Sequence, residues 1–297
     1  MPGEESLCRV VGRLRRIPDG FREFTQTGSD AGRRHGIHAE LLDALVVSGL
    51  PYRATGAGPR FDGLDLANVS LGLALPSPRF MAMRGWSAAI RSAAHAAAVT
   101  YVVTVEPSCP KDSHPGLCSA EPAPHLRQLP GYRASSRGAF TLTRRVHGQT
   151  AHVRSDVTRL TDLVQPLHFH LLPDGLRADL GFLRETRLAD CGLAARHLVA
   201  EAAALGLRAR RSFGLFISAP YSIPHAWFDL YLNDAWVPFD PHLLNVLTGW
   251  DLLRPGEWPP HRSIGDAAWR LGEDEFMIAT HIEGVAALSF PTRADGT

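Results

Sequence analysis

The chain has 297 residues, 45% of them hydrophobic and 21% charged, with a formal net charge of +1. That size and apolar share suit one large globular domain or two small ones, and the near-zero charge offers no general field for nucleic acid or a membrane surface. No unbroken apolar run long enough to cross a bilayer is present, and "MPGEESLCRVVGRLRRIPDG" lacks the apolar centre of a signal peptide, so a cytoplasmic protein with no membrane and no nucleic-acid partner is expected.

Four cysteines (Cys8, Cys109, Cys118 and Cys191) are too few for a disulfide scaffold at this length. Lys111 is the single lysine, and this arginine bias suggests a GC-rich bacterial genome. In chain order, the arginine-rich residues 1–36 are read as a strand over "LCRVVGRLRRI" followed by a loop. "IHAELLDALVVSGL" has apolar residues at helical spacing and a glycine stop, which predicts a helix near 38–48. "PYRATGAGPRFDGLDLANVS" is turn-rich. "PSPRFMAMRGWSAAIRSAAHAAA" is alanine-rich and predicts a helix, and "VTYVVTVEP" a buried strand. Residues 107–138 are dense in Pro, Ser and Gly and are the best candidate for a linker or long surface loop. They divide the chain into an N-terminal α/β region of unassigned type at 1–138, expected to wrap the rest, and a core at 139–297. "AFTLTRRVHGQTAHVRS" then alternates like a strand around a His-Gly turn, and the segments up to residue 187 are helical or mixed.

The signal sharpens at "DCGLAARHLVAEAAALGLRAR". Asp190 is a good N-cap and Cys191 takes the first helical position, with Gly206 as the stop. "RRSFGLFIS" is a strand. "HAWFDLYL" and "AWVPFDP" form a hairpin about Asn233-Asp234. Strands following a helix indicate an α+β fold.

With that turn, Leu232 faces Ala235 and Asp240 falls opposite Trp227. Side-chain alternation sets His225, Trp227, Asp229 and Tyr231 on one face with Asp240, and makes His225 its diagonal neighbour, roughly 7–8 Å away at the backbone. This spacing can build a His–Asp pair. The helix N-terminus favours negative charge on the Cys191 sulfur, and its first amides are free to hold an oxyanion. Cysteine, histidine and aspartate in this order make an acyl-transfer triad.

These residues resemble the transglutaminase-like superfamily of papain-type thiol enzymes. "DCGLAARHLVAEAAALGLRARR" resembles its cysteine helix and following strand, and "HAWFDLYLNDAWVPFDP" its paired His-Ala-Trp and Trp-Val-Pro-Phe-Asp-Pro strands. The resemblance, over roughly residues 180–245, implies a papain-like core with the cysteine helix packed on an antiparallel sheet. It implies Cys191 as nucleophile, His225 as general base and acid, and Asp240 as the orienting carboxylate. It also implies an oxyanion-hole side chain within 161–187, where His168 and His170 are the most visible polar residues. Trp227, Trp236 and His170 are candidate substrate contacts. No cofactor is expected, and no acidic calcium-binding loop appears.

Three functions stay open on these grounds. One is an acyltransferase forming an amide on a small-molecule or carrier-protein-bound substrate in a bacterial biosynthetic pathway. Another is a cysteine peptidase or amidase acting on a peptide, and the third a non-catalytic binding protein that retains the fold. Plainer readings stand beside them: Cys191 as a buried hydrophobe, Asp240 as a turn cap before Pro241, the tryptophans as core. "HFH" at 168–170 lacks a third metal ligand nearby, Cys109, His114 and Cys118 lack finger spacing, and His242 could line the pocket or face solvent.

Overall fold

The computed structural model describes residues 2–95, 98–108, 120–135, 138–147, 157–281 and 287–295. Its first element is a helix, α1 (Glu4–Leu14), where the sequence reading expects a strand. Leu7, Val10, Val11 and Leu14 fall at i, i+3, i+4 and i+7 and are all buried, so a helical stripe overrides the arginines between them. β1 (Phe24–Gln26) and α2 (Gly28–His35) follow, α2 being started by a reciprocal Thr27–Asp30 capping box. α3 (Ala39–Val47) is the helix predicted near 38–48. The stretch read as turns contains β2 (Arg53–Thr55), β3 (Gly58–Asp62) and α4 (Gly63–Gly72), the strands joining β1 in a sheet ordered β1-β3-β2. In so short a hairpin turn residues dominate the composition, which hides the strands. These elements enclose a small core of their own, including Leu14, Ile37, Leu45 and Phe61.

α5 (Pro78–His95) and β4 (Val99–Ser108) match the predicted helix and strand. Beyond them lie β5 (Ala120–Pro122), β6 (Arg133–Ala134) and β7 (Phe140–Val146). The stretch expected as a linker is, in its described residues, wired into the fold: β6 pairs with β7 and Leu126 is fully buried. Cys109, His114, Cys118 and most of the expected His-Gly turn lie outside the described residues. α6 (Thr158–Val164), β8 (His168–Phe169), α7 (Leu180–Thr186) and β9 (Leu188–Ala189) lead to α8 (Cys191–Ala204). The chain continues through β10 (Ala209–Phe216), β11 (Ile223–Leu232), β12 (Ala235–Phe239), α9 (Pro241–Gly249), β13 (Ala268–Gly272), β14 (Ala279–His281), β15 (Ala287–Ser289) and β16 (Thr292–Asp295).

Two antiparallel sheets dominate, one ordered β12-β11-β10-β13 and the other β15-β4-β7-β6 with β16 also on β4. A smaller pair, β5 with β14, ties residues 120–122 to 279–281. The largest core draws from both sides of residue 138, with Trp86, Val103, Phe140, Phe216, Trp227 and Trp269 among its members. A second core packs α6, α7 and α8 against Phe228, Leu230 and Phe239 of the hairpin. The body of α8 therefore sits in one core while its first residue, Cys191, packs against the other. This is an α+β fold. Among the described residues no helix is long and apolar enough to cross a membrane.

Candidate active site

Cys191 is half-buried at the first position of α8. The buried N-cap Asp190 starts that helix, its Oδ1 accepting from the Leu193 amide at 2.9 Å. The other oxygen, Oδ2, accepts from Arg177 Nε at 2.8 Å, and Arg177 Nη1 also lies 3.0 Å from Glu275 Oε2. Burial works against the Arg177 charge, but Asp190, Glu275 and Cys191 outweigh it and hold the guanidinium above its ordinary pKa. Burial pushes the Glu275 carboxyl above its ordinary value, with Arg177 pulling the other way. Gly192 lets Glu275 lie close over the first turn of α8: a Cβ there would come within 2.6 Å of Glu275 Oε1 and displace that side chain.

His225 is fully buried on β11. Its ring lies 5.1 Å from Trp86 of α5, 5.6 Å from the edge-on Phe216, and 6.2 Å from Trp227, nearly parallel to it. Nε2 lies 2.6 Å from Asp240 Oδ2. The opposite nitrogen, Nδ1, is buried and makes no hydrogen bond of ordinary geometry. Burial alone would favour the neutral ring. Interaction with Cys191, then Asp240, overcomes it and raises the imidazole pKa to about 10.

The register explains the pair. Leu232 faces Ala235 across a turn in which Asn233 and Asp234 have φ of 49° and 62°, the backbone of a type I′ hairpin. Phe228 faces Phe239, so Asp240 falls beside Trp227, on the diagonal to His225. Asp240 also N-caps α9, Oδ1 accepting from Leu243 N at 2.8 Å. The turn-cap reading and the imidazole-partner reading are both met, one by each oxygen.

Other expected positions differ. Trp227 is a buried core residue whose indole N–H donates to Asp229 Oδ1 at 2.9 Å, though its edge also borders a cleft. Trp236 pairs with Tyr231, six residues along β11 from His225, or about 20 Å at strand rise. It shares a face with the site but not a position, and Arg210 covers its ring at 4.1 Å. His170 is buried, its amide donating to Ala189 O, and it lines none of the three clefts described here. Burial first, then Arg13 and Arg22, lower its pKa to about 3, so its ring is neutral and belongs to the packing between β9 and the N-terminal helices. His242 neither lines a cleft nor meets solvent: it is buried and its Nε2 donates to Ala189 O at 3.2 Å, tying α9 to the strand that precedes Cys191. Among the described residues no three His, Cys, Asp or Glu side chains are grouped to hold a metal ion.

Two clefts flank the N-terminus of α8. One, of about 800 Å³, is bordered by Gly192, Phe213, Trp227, Glu275 and Phe276; the other, of about 650 Å³, by His35, Arg79, Leu172 and Asp190. They meet at Asp174 and Arg177. Trp86 and Glu275 escape the sequence reading because each reaches the site from far along the chain, and Arg177, 13 residues before Asp190, because no local pattern marks it.

A cysteine heading a helix, a buried histidine whose pKa it raises and an aspartate bonded to that histidine are the parts of a protein built for cysteine-based catalysis. A family model described as the transglutaminase-like superfamily matches residues 137–241. Comparison with curated proteins gives no match. A solved structure from Cytophaga hutchinsonii, described as that of a candidate cysteine protease, is 14% identical, with 67% of this chain and 89% of that one covered at a TM-score of 0.35.

Proposed function

We propose that the protein is an acyltransferase that works through a thioester on Cys191 and forms an amide. His225, protonated at its raised pKa, already holds the proton released by the Cys191 thiol, and the sulfur attacks the carbonyl carbon of an amide or thioester. The tetrahedral oxyanion sits by the first amides of α8, which have no partner within the helix. His225 then hands the proton to the departing amine or thiol, leaving the acyl group on sulfur. An incoming amine attacks the thioester carbon, gives its proton to His225, and releases the amide as the Cys191 sulfur leaves as a thiolate. Asp240 holds the ring orientation throughout. Trp227 and the first cleft wall off one side of the acyl site.

The observation that supports this reading is the His225 ring, fully buried with Nε2 2.6 Å from the Asp240 carboxylate and its pKa raised by Cys191 at the head of α8. The small-molecule or carrier-bound donor and the amine acceptor extend the reading beyond that geometry. The test is intact-mass analysis after incubation with amide and thioester donors, with and without small amines. Acylation of Cys191 that an amine discharges as an amide supports transfer. Acylation discharged by water alone assigns hydrolysis of a peptide or amide instead, and no acylation by any donor overturns both.

A further inference from the structure

Several arginines near the two large sheets and the clefts are paired with carboxylates. Arg22 is paired with Asp65, Arg177 with Asp190 and Arg211 with Asp274. Arg144 and Arg145 on β7 are not: among the described residues neither has an ion pair or hydrogen bond. The register makes Arg144 the more unusual. Phe140, Leu142 and Val146, at alternate positions of the same strand, point into the core, so Arg144 stands on the inward face. Its Nε is shielded from water and has no acceptor, a costly state for a guanidinium N–H.

Both residues line a groove of about 530 Å³ between the two large sheets, joined there by Arg210 and Arg270. Two carboxylates share the groove and do not neutralise it. Asp229 is saturated by Arg210 Nε at 2.9 Å, Ser212 Oγ at 2.8 Å and the Trp227 indole at 2.9 Å. Asp266 accepts from the His147 amide at 3.0 Å. Arg270 donates only to the neutral Ser212 Oγ, at 3.1 Å. Arg144, Arg145 and Arg270 thus border one groove without a carboxylate bonded to them. The groove is separate from the clefts at α8, and Trp227, stacked on His225, forms the wall between them.

We infer that this groove is a binding site for a phosphate group, carried by a small phosphoester, with Arg144, Arg145 and Arg270 as its ligands. A planar, permanently charged fork with several donors suits a multi-oxygen dianion better than a single carboxylate, which one arginine can satisfy alone. The groove would accept either a phosphorylated metabolite or the phosphodiester of a pantetheine-type arm. The inference goes beyond the proposed acyl transfer and does not depend on it.

The test is titration of the full chain with inorganic pyrophosphate at fixed ionic strength, followed by calorimetry and by tryptophan fluorescence, since Trp227, Trp236 and Trp269 border the groove. Saturable binding is expected, unchanged in Cys191→Ala and weakened at least about tenfold in Arg145→Gln and in Arg144→Gln, the loss typical of one charge-assisted hydrogen bond. Arg145 is exposed, so its replacement keeps the test open even where Arg144→Gln fails to fold. Repeating the titration with a simple phosphate monoester and with a methyl phosphodiester of pantetheine separates the two sources. Binding no tighter than with matched chloride, or binding that both arginine variants leave intact, overturns the inference. Pyrophosphate binding without any Cys191 acylation would leave the groove standing while the catalytic reading fell.

Discussion

Removing the Asp240 carboxylate tests the site through stability before any substrate is known. Asp240→Ala deletes two bonds at once, the cap on Leu243 N at 2.8 Å and the contact to His225 Nε2 at 2.6 Å. An N-cap is worth about 1 kcal/mol. Leaving one partner of a buried ion pair alone costs about 3–5 kcal/mol, and the His225 side chain is 0% exposed. The sum, about 4–6 kcal/mol, is an upper bound because both bonds share one carboxylate. It is still a large part of the roughly 5–15 kcal/mol that holds a domain folded. The loss also has a pH signature. The folded pKa of His225, raised from 6.5 to about 10, means its stabilisation is fully present below pH 6.5 and is lost as pH rises through 10. Wild type should therefore lose stability across that window, and the gap between wild type and Asp240→Ala should narrow towards pH 10. Asp240→Asn, which keeps an acceptor for the cap, should lose only the charge-dependent share. Urea unfolding followed by circular dichroism at pH 6.5 and pH 10 measures this. A loss under about 1 kcal/mol in Asp240→Ala, with the wild-type pH decline intact, would refute the coupling of His225 to Asp240.

Cys191→Ala should abolish acyl adducts and flatten the stability decline between pH 6.5 and 10, since Cys191 leads the groups that raise His225; peptide mapping is needed because Cys8 is an exposed thiol. Gly192→Ala should push Glu275 off the first turn of α8, its Cβ arriving 2.6 Å from Oε1. The broken Arg177–Glu275 pair is 35% and 39% exposed, so stability should move by less than about 1 kcal/mol while the Cys191 acylation rate falls severalfold; an unchanged rate would dismiss Glu275 from the cleft mouth. Arg22→Leu should cost about 3–5 kcal/mol, because Asp65 would be left buried without its 2.7 Å partner and two backbone carbonyls would lose donors. Restoring part of that loss with a second change, Asp65→Leu, in a double-mutant cycle would isolate the pair; purely additive losses would count against it.

Where a feature depends on neighbours in sequence, the chain alone determined it. The cysteine helix with its Asp190 cap, the Asn233-Asp234 turn, the resulting hairpin register and the placing of Asp240 diagonal to His225 follow from periods of 3.6 and 2 and from turn chemistry. The α1 stripe was equally local and was obscured only by the arginines set between its apolar residues. Tertiary structure alone decided what closes around that pair. Trp86 arrives from a helix more than a hundred residues before His225, Arg177 and Glu275 meet at Asp190 from opposite sides of it, and Trp236, on the expected face, stands too far along the strand to reach the site. Alternation fixes which way a side chain points, whereas its partners depend on how sheets and helices stack. That stacking is set by the sum of many weak apolar contacts spread over the whole chain, which no single stretch of sequence encodes.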